Sequence, residues 1–221
     1  MIVVVQCAAK KRDDAGFLQT ADGMPVLFVA DPHSAPPSNE HRFARPDDFY
    51  SRGQTWRDRL LEYNVRAGEN PLKLHRAIDL YSNPTYLRLA EHVGITKTYV
   101  LSAGWGLIRS DFLTPNYDIT FSGSAEAYKR RKKTDVFHDL RMLPADTNEP
   151  IIFFGGKDYI PLFCDLTRFV TTKRIVCYNS QSAPDASGCT LLPFKTNTRT
   201  NWHYECANAF INDELKLLFD R

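Results

Sequence analysis

The residues best suited to chemistry fall in three short stretches, each read as following a hydrophobic strand. "QCAAKK" puts Cys7 and Lys10 just past the first strand. "LSAGWGLIRSDFLTPNYD" carries Ser102, Trp105, Arg109, Asn116, Tyr117 and Asp118. "GGKDY" adds Asp158 and Tyr159. Ligands of open α/β sheets bind beyond the carboxyl ends of the strands, so parallel strands would gather these loops at one edge. Two carboxylates from separate strand ends, Asp118 and Asp158, would then divide acid and base work. Lys10 would hold a phosphate or a developing anion, with Ser102, Asn116, Tyr117 and Tyr159 orienting the substrate.

Plainer roles stand beside each of these. A loop lysine is ordinarily solvated, Gly104 and Gly106 serve a turn, and an Asp after Pro-Asn-Tyr closes an Asx-turn. Trp105, a large aromatic between two glycines, is either packed as a lid or used as a stacking face. The cation run Lys129, Arg130, Arg131, Lys132 and Lys133 is most often a solvated face. Here it is bracketed by Tyr128, Phe137 and His138, a mixture that suits a nucleic-acid backbone and exposed bases. The chain contains neither G-x-x-x-x-G-K-[ST] nor G-x-G-x-x-G, and its six histidines include no H-x-x-x-H. No protein-bound metal and no organic cofactor is therefore expected.

The elements that must position these residues alternate between strand and helix. Ile2–Gln6 is a continuous β-branched run, as in a strand buried on both faces. Met24–Ala30 is a second strand. Residues 31–48 hold four of the thirteen prolines and read as a loop or lid. Phe49–Arg66 has helical spacing through Trp56, Leu60, Leu61 and Tyr63. Asn83 and Pro84 mark the start of a helix that stops at Gly94. Strands follow at Thr98–Leu101, Ile151–Phe154 and Arg174–Tyr178, with helices at Tyr159–Val170 and Trp202–Phe219. This order predicts a single α/β domain over residues 1–221, with a mostly parallel central sheet covered by helices.

Bulk properties narrow the class further. With 221 residues, 43% hydrophobic and 24% charged, the chain is long enough for one good core. The net charge of +2 makes no case for a polyanionic partner, so any such case rests on the local basic run. Five widely spaced cysteines without a C-x-x-C pair read as reduced core residues in a reducing cytoplasm. The apolar run at the N-terminus is too short for a signal peptide, and no run approaches a membrane span.

The pattern "YVLSAGWGLI…TPNYDITF", preceded by "CAAKK", resembles the YaaA-like peroxide-stress family of DNA-binding proteins. The matching positions are Cys7, Lys10, Leu101, Ser102, Ala103, Gly106, Leu107, Pro115, Tyr117 and Asp118. Trp105 stands where the relatives carry an aromatic, and Asn116 is inserted between Pro115 and Tyr117. More distantly, the chain is similar to tRNA-guanine transglycosylase-like proteins and phage-defence DNA glycosylases. The resemblance implies a DNA-binding protein, DNA in preference to RNA, linked to base modification and phage defence. The enzyme expected on this basis hydrolyses the N-glycosidic bond of a modified nucleobase flipped from the stack. Trp105 and Tyr117 would form its aromatic wall, Asn116 would read the base, and Asp118 would be the carboxylate with Asp158 in reserve. Arg109 and Lys129–Lys133 would hold phosphates. The alternatives are a non-catalytic DNA-binding stress-response protein and an enzyme acting on a small nucleoside or nucleotide.

Overall fold

The computed structural model describes residues 1–66 and 68–215. The apolar runs become the interior of one sheet. Its strands, in chain order, are Ile2–Gln6 (β1), Thr98–Ser102 (β2), Gly106–Arg109 (β3), Leu140–Arg141 (β4), Ile151–Phe154 (β5), Arg174–Tyr178 (β6) and Thr190–Pro193 (β7). Across the sheet the order is β4-β3-β2-β1-β5-β6-β7. Strands β2, β1, β5, β6 and β7 are parallel to one another. β3 returns antiparallel to β2, and β4 runs parallel to β3. The fold is α/β with a mostly parallel sheet.

Helices Trp56–Val65 (α1), Thr85–Val93 (α2), Ile160–Thr167 (α3) and Trp202–Ile211 (α4) pack around it. Successive strand residues face opposite sides, and β5 shows how both sides are filled. Phe153 stacks on Phe163 of α3 at 4.8 Å, while Phe154 meets Phe210 of α4 at 5.5 Å. Burial on both faces is why β1, β2 and β5 read as unbroken apolar runs. Asn83 accepts a bond from the Thr85 N–H (2.9 Å) at the start of α2, which ends at Gly94 with φ 95°.

Several expected boundaries shift for local reasons. The helix expected over Phe49–Arg66 begins only at Trp56. Before it, Phe49–Ser51 and Gln54–Thr55 pair as a hairpin turning at Gly53 (φ 81°). Thr55 and Asp58 then form a reciprocal capping box. Met24–Ala30 shortens to Pro25–Phe28, and Tyr159–Val170 to α3, preceded by a 3-10 turn at Lys157–Tyr159. Helix α4 ends at Ile211, and residues 216–219 of the expected helix lie outside the described residues.

Residues 31–48 are tied down rather than lid-like. Arg42–Ala44 pairs in parallel with Pro25–Phe28. Asp31 donates its N–H to the Tyr128 carbonyl (2.8 Å), and Asp47 is ion-paired with Arg57 at 2.7 Å. Among the described residues no helix is long and apolar enough to cross a membrane.

Candidate active site

Three parallel strand ends supply the start of the site. Beyond β1, the Cys7 N–H continues the ladder to the Leu101 carbonyl (2.9 Å), which holds its buried thiol 3.2 Å from the Tyr159 hydroxyl beyond β5. At the end of β2, Ser102 donates to the Tyr117 hydroxyl at 2.9 Å. Tyr117 in turn shares a bond of 2.8 Å with Tyr81. Tyr86 donates to the Gln6 carbonyl at 2.7 Å and lies 3.2 Å from the Tyr204 hydroxyl of α4. The rings of Tyr81 and Tyr86 stack at 4.8 Å. Burial pushes the hydroxyls of Tyr81, Tyr86, Tyr117 and Tyr159 well above the usual phenol range. They remain protonated donors at neutral pH.

Two lysines border this phenol cluster in opposite environments. Lys11 is bridged to Tyr81 through the backbone and lays its ammonium 4.1 Å over the centre of the Tyr117 ring. Part of the residue reaches solvent, yet the ammonium end is desolvated, which pulls its pKa below the ordinary lysine value. Cys7 and Asp118 oppose that shift, and Lys129 adds to it. Lys129 itself is held at 2.8 Å by Asp118 and 2.7 Å by Glu126, bonds that raise its pKa and keep it charged. Asp118 is fixed by its own N–H, which donates to the Phe28 carbonyl at 2.7 Å.

The sequence-predicted residues divide sharply. Ser102, Tyr117, Asp118, Lys129 and Tyr159 come together here, while Lys10 is exposed and its neighbour Lys11 turns inward. Trp105 is not a stacking face. It is fully buried, edge-on to Phe28 at 5.0 Å. The hairpin tip that carries it is pinned by two guanidinium groups. Arg57 donates to the Gly104 and Trp105 carbonyls (both 3.1 Å), and Arg131 donates to that of Ala103 at 2.8 Å. Gly106 is required there because its φ is 91° and a Cβ would meet the Leu140 backbone at 2.6 Å.

The Tyr117 ring is likewise buried, with the Lys11 ammonium over its face, so it offers no wall to a base. Asn116 is half-buried and donates its N–H to the Gly16 carbonyl at 2.7 Å. Arg109 is misplaced by strand direction. It pairs with Tyr99 near the start of β2, at the end of the sheet opposite Ser102, and is bound to Asp111. Asp158 is exposed and lines a separate cleft of about 320 Å³ with Lys132, Lys133 and Asp165.

The basic run is not one surface. Arg131 is buried in an ion pair with Asp139 at 2.6 Å, and Lys129 is held by Asp118 and Glu126. Arg130, half-buried, donates to the Gly123 carbonyl at 3.2 Å, leaving Lys132 and Lys133 as the exposed members. Arg130, Arg131 and Lys132 line a cavity of about 570 Å³ with His33, Ser34 and Arg45. Asp118 is not itself among the lining residues, which include Asp31, Asp48 and Asp135. Its N–H bonds Phe28, two residues before the lining residue Ala30, and Thr120 is bridged to Arg130.

Lys11 and Tyr81 were missed as site residues, and Cys7 was singled out without a role. Nothing in "AAKK" distinguishes the two lysines, and only the backbone bridge to Tyr81 decides which one faces in.

Together these features define an α/β protein with a desolvated polar cluster at the carboxyl edge of its central parallel strands. A family model described as "Family of unknown function (DUF6884)" matches residues 69–176. The matched segment holds Tyr81, Tyr86, Ser102, Tyr117, Asp118, Lys129 and Tyr159, and it excludes Cys7, Lys11 and Tyr204. No curated protein and no solved structure matches the chain.

Proposed function

We propose that the protein is an enzyme that hydrolyses the N-glycosidic bond of a modified nucleobase in DNA, in the setting of phage defence. The observation that carries this reading is the meeting of Lys11, Asp118 and Lys129 beside a set of protonated phenols. The cavity of about 570 Å³ lined by Arg45, Arg130 and Lys132 is within the range of small-molecule sites, and Asp31, Asp48 and Asp135 share its lining. In the reaction, water adds to C1′, the bond from C1′ to the base nitrogen breaks, and the base leaves with its bonding electron pair. Asp118 takes the water's proton and stabilises the oxocarbenium-like sugar, as carboxylates do in glycoside hydrolysis. The departing base takes its proton from solvent water, while the phenols and Lys129 neutralise its charge as hydrogen-bond donors. The free thiols of all five cysteines fit a reducing compartment such as the cytoplasm.

The test is base release from DNAs carrying normal, damaged, methylated or glucosylated hydroxymethylated bases, read by alkaline cleavage at abasic sites and by mass spectrometry of free base. The expected result is release from one modified DNA by the wild type and its loss in Asp118→Asn. DNA binding without release on every substrate would overturn the enzyme reading in favour of a non-catalytic DNA-binding protein. A second reading, an enzyme acting on a small nucleotide, is favoured by the internal use of Lys129 and Arg131. It predicts free-nucleotide turnover that hardly responds to salt.

A further inference from the structure

We propose that Cys164 and Cys189 form a reversible oxidation site, a pair of thiols that a low-molecular-weight disulfide closes into a Cys164–Cys189 bond. The proposal stands apart from the glycosidic reading. Cys189 directly precedes β7 and Arg174 opens β6, so the pair lies toward the amino ends of the parallel strands, away from the edge that carries the phenol cluster. The two sulfurs are 3.8 Å apart, Cys164 on α3 and Cys189 25 positions later, and both residues are half-buried. Arg174 staples the segments that carry them. Its guanidinium donates to the Cys164 carbonyl and the Thr167 hydroxyl of α3, both at 3.3 Å. It also donates to the Ser187 carbonyl at 3.3 Å and the Gly188 carbonyl at 3.2 Å. Gly188 has φ 70°, and a Cβ there would strike that guanidinium. The same cation favours a thiolate beside it. The hydrogen bond from Cys164, helped by Arg174, lowers the Cys189 thiol to about 7, and that bond together with burial pushes Cys164 up. A second interacting pair, Cys177 and Cys206, is fully buried, as plain core thiols are. An accessible thiol of lowered proton affinity with a second thiol in reach is the arrangement that exchanges with disulfides, and in a reducing compartment such bonds are transient.

The Cys189 thiolate attacks one sulfur of the small disulfide. A new S–S bond forms, and the other half departs as a thiolate with the bonding pair. Cys164 then loses its proton, and its sulfur attacks that of Cys189 and releases the second half as a thiolate. The two protons given up by the cysteines end on the two small thiols. Both cysteines are oxidised and the small disulfide is reduced, so no further reactant is needed. Closure brings the sulfurs from 3.8 Å to about 2.0 Å and ties α3 covalently to the entry of β7, where Arg174 already holds them together. Excess small thiol reverses both steps.

The experiment treats the reduced, folded full chain with oxidised glutathione in the absence of oxygen. Remaining thiols are blocked with N-ethylmaleimide in denaturant, and peptides are mapped by mass spectrometry before and after reduction with dithiothreitol. Trypsin leaves Cys177 and Cys189 on one peptide, so a second cleavage before Asp185 separates them. The expected result is a disulfide joining Cys164 to Cys189, with Cys7, Cys177 and Cys206 still thiols. Cys164→Ser should stop after the first step and keep one glutathione on Cys189, and Cys189→Ser should lose the reaction. The wild-type map needs no variant, so a folding failure of either would leave the answer intact. A glutathione adduct that stays on Cys189 of the wild type without closure, a disulfide joining any other pair, or an unreacted chain would overturn the proposal.

Discussion

The cluster around Lys11 and the basic run at residues 129–133 use charge in opposite ways. In the basic run, contiguous in sequence, Arg131 is spent on Asp139 and on the Ala103 carbonyl, and Lys129 on Asp118 and Glu126. Around Lys11 the groups come from chain segments far apart, and its ammonium is left on a ring face rather than on a carboxylate. A dense cation run is thus largely scaffold, whereas a pair of lysines unremarkable in sequence supplies the desolvated one. Proximity along the chain measures charge density. Proximity in the fold measures reactivity.

Arg131→Ala should have the largest effect on stability. It strands a buried Asp139 and uncaps the hairpin tip, and breaking a buried pair in this way costs about 3–5 kcal/mol. Chemical denaturation would measure it, and a loss comparable to that of an exposed lysine would break the contrast. Tyr117→Phe removes one hydroxyl from between Ser102 and Tyr81, leaving buried polar groups short of a partner, at a cost of about 1–3 kcal/mol.

A smaller, pH-dependent effect comes from His203, whose ring packs 4.1 Å from that of Tyr204 at the edge of the cluster. Burial lowers its pKa from 6.5 to about 4. The unfolded chain therefore binds the proton first, so stability is fully present above about pH 6.5 and declines as pH falls toward 4. Melting temperatures between pH 7 and pH 5 should fall less steeply in His203→Gln than in the wild type. The smallest effect on folding belongs to the double variant Lys132→Gln/Lys133→Gln, within about 0.5 kcal/mol of wild type. Its DNA affinity should show a shallower salt dependence, the slope of log K against log salt dropping by roughly 0.9 for each phosphate left without its cation. An unchanged slope would remove these lysines from the interface.

Much of the architecture was legible because burial on both faces writes itself as unbroken apolar runs, as in "IVVVQ" and "IIFF". β3 and β4 were not legible. Gly106–Arg109 reads as the continuation of a loop, and Leu140–Arg141 is a two-residue strand completed by its neighbour. The antiparallel return of β3 also explains why Arg109, placed near the site by sequence distance, sits at the far end of the sheet. Trp105 has the local chemistry of an exposed loop residue. Its burial depends on Arg57 and Arg131, respectively 48 residues before it and 26 after it, which no local pattern conveys. Ser102 and Tyr159 follow strand ends of the parallel sheet and meet by the convergence expected there, whereas Asp118 arrives only after β3 has returned and the chain has paired Leu113–Thr114 with His75–Arg76.

The most direct test compares Asp118→Asn with Lys132→Gln/Lys133→Gln in single-turnover base release at saturating modified DNA. Asp118→Asn is expected to bind DNA normally and to release base about 10²–10⁴-fold more slowly. The double-lysine variant should reach the wild-type rate once saturated. Full release by Asp118→Asn would contradict this expectation, since the chemistry would then lie outside the assembled cluster.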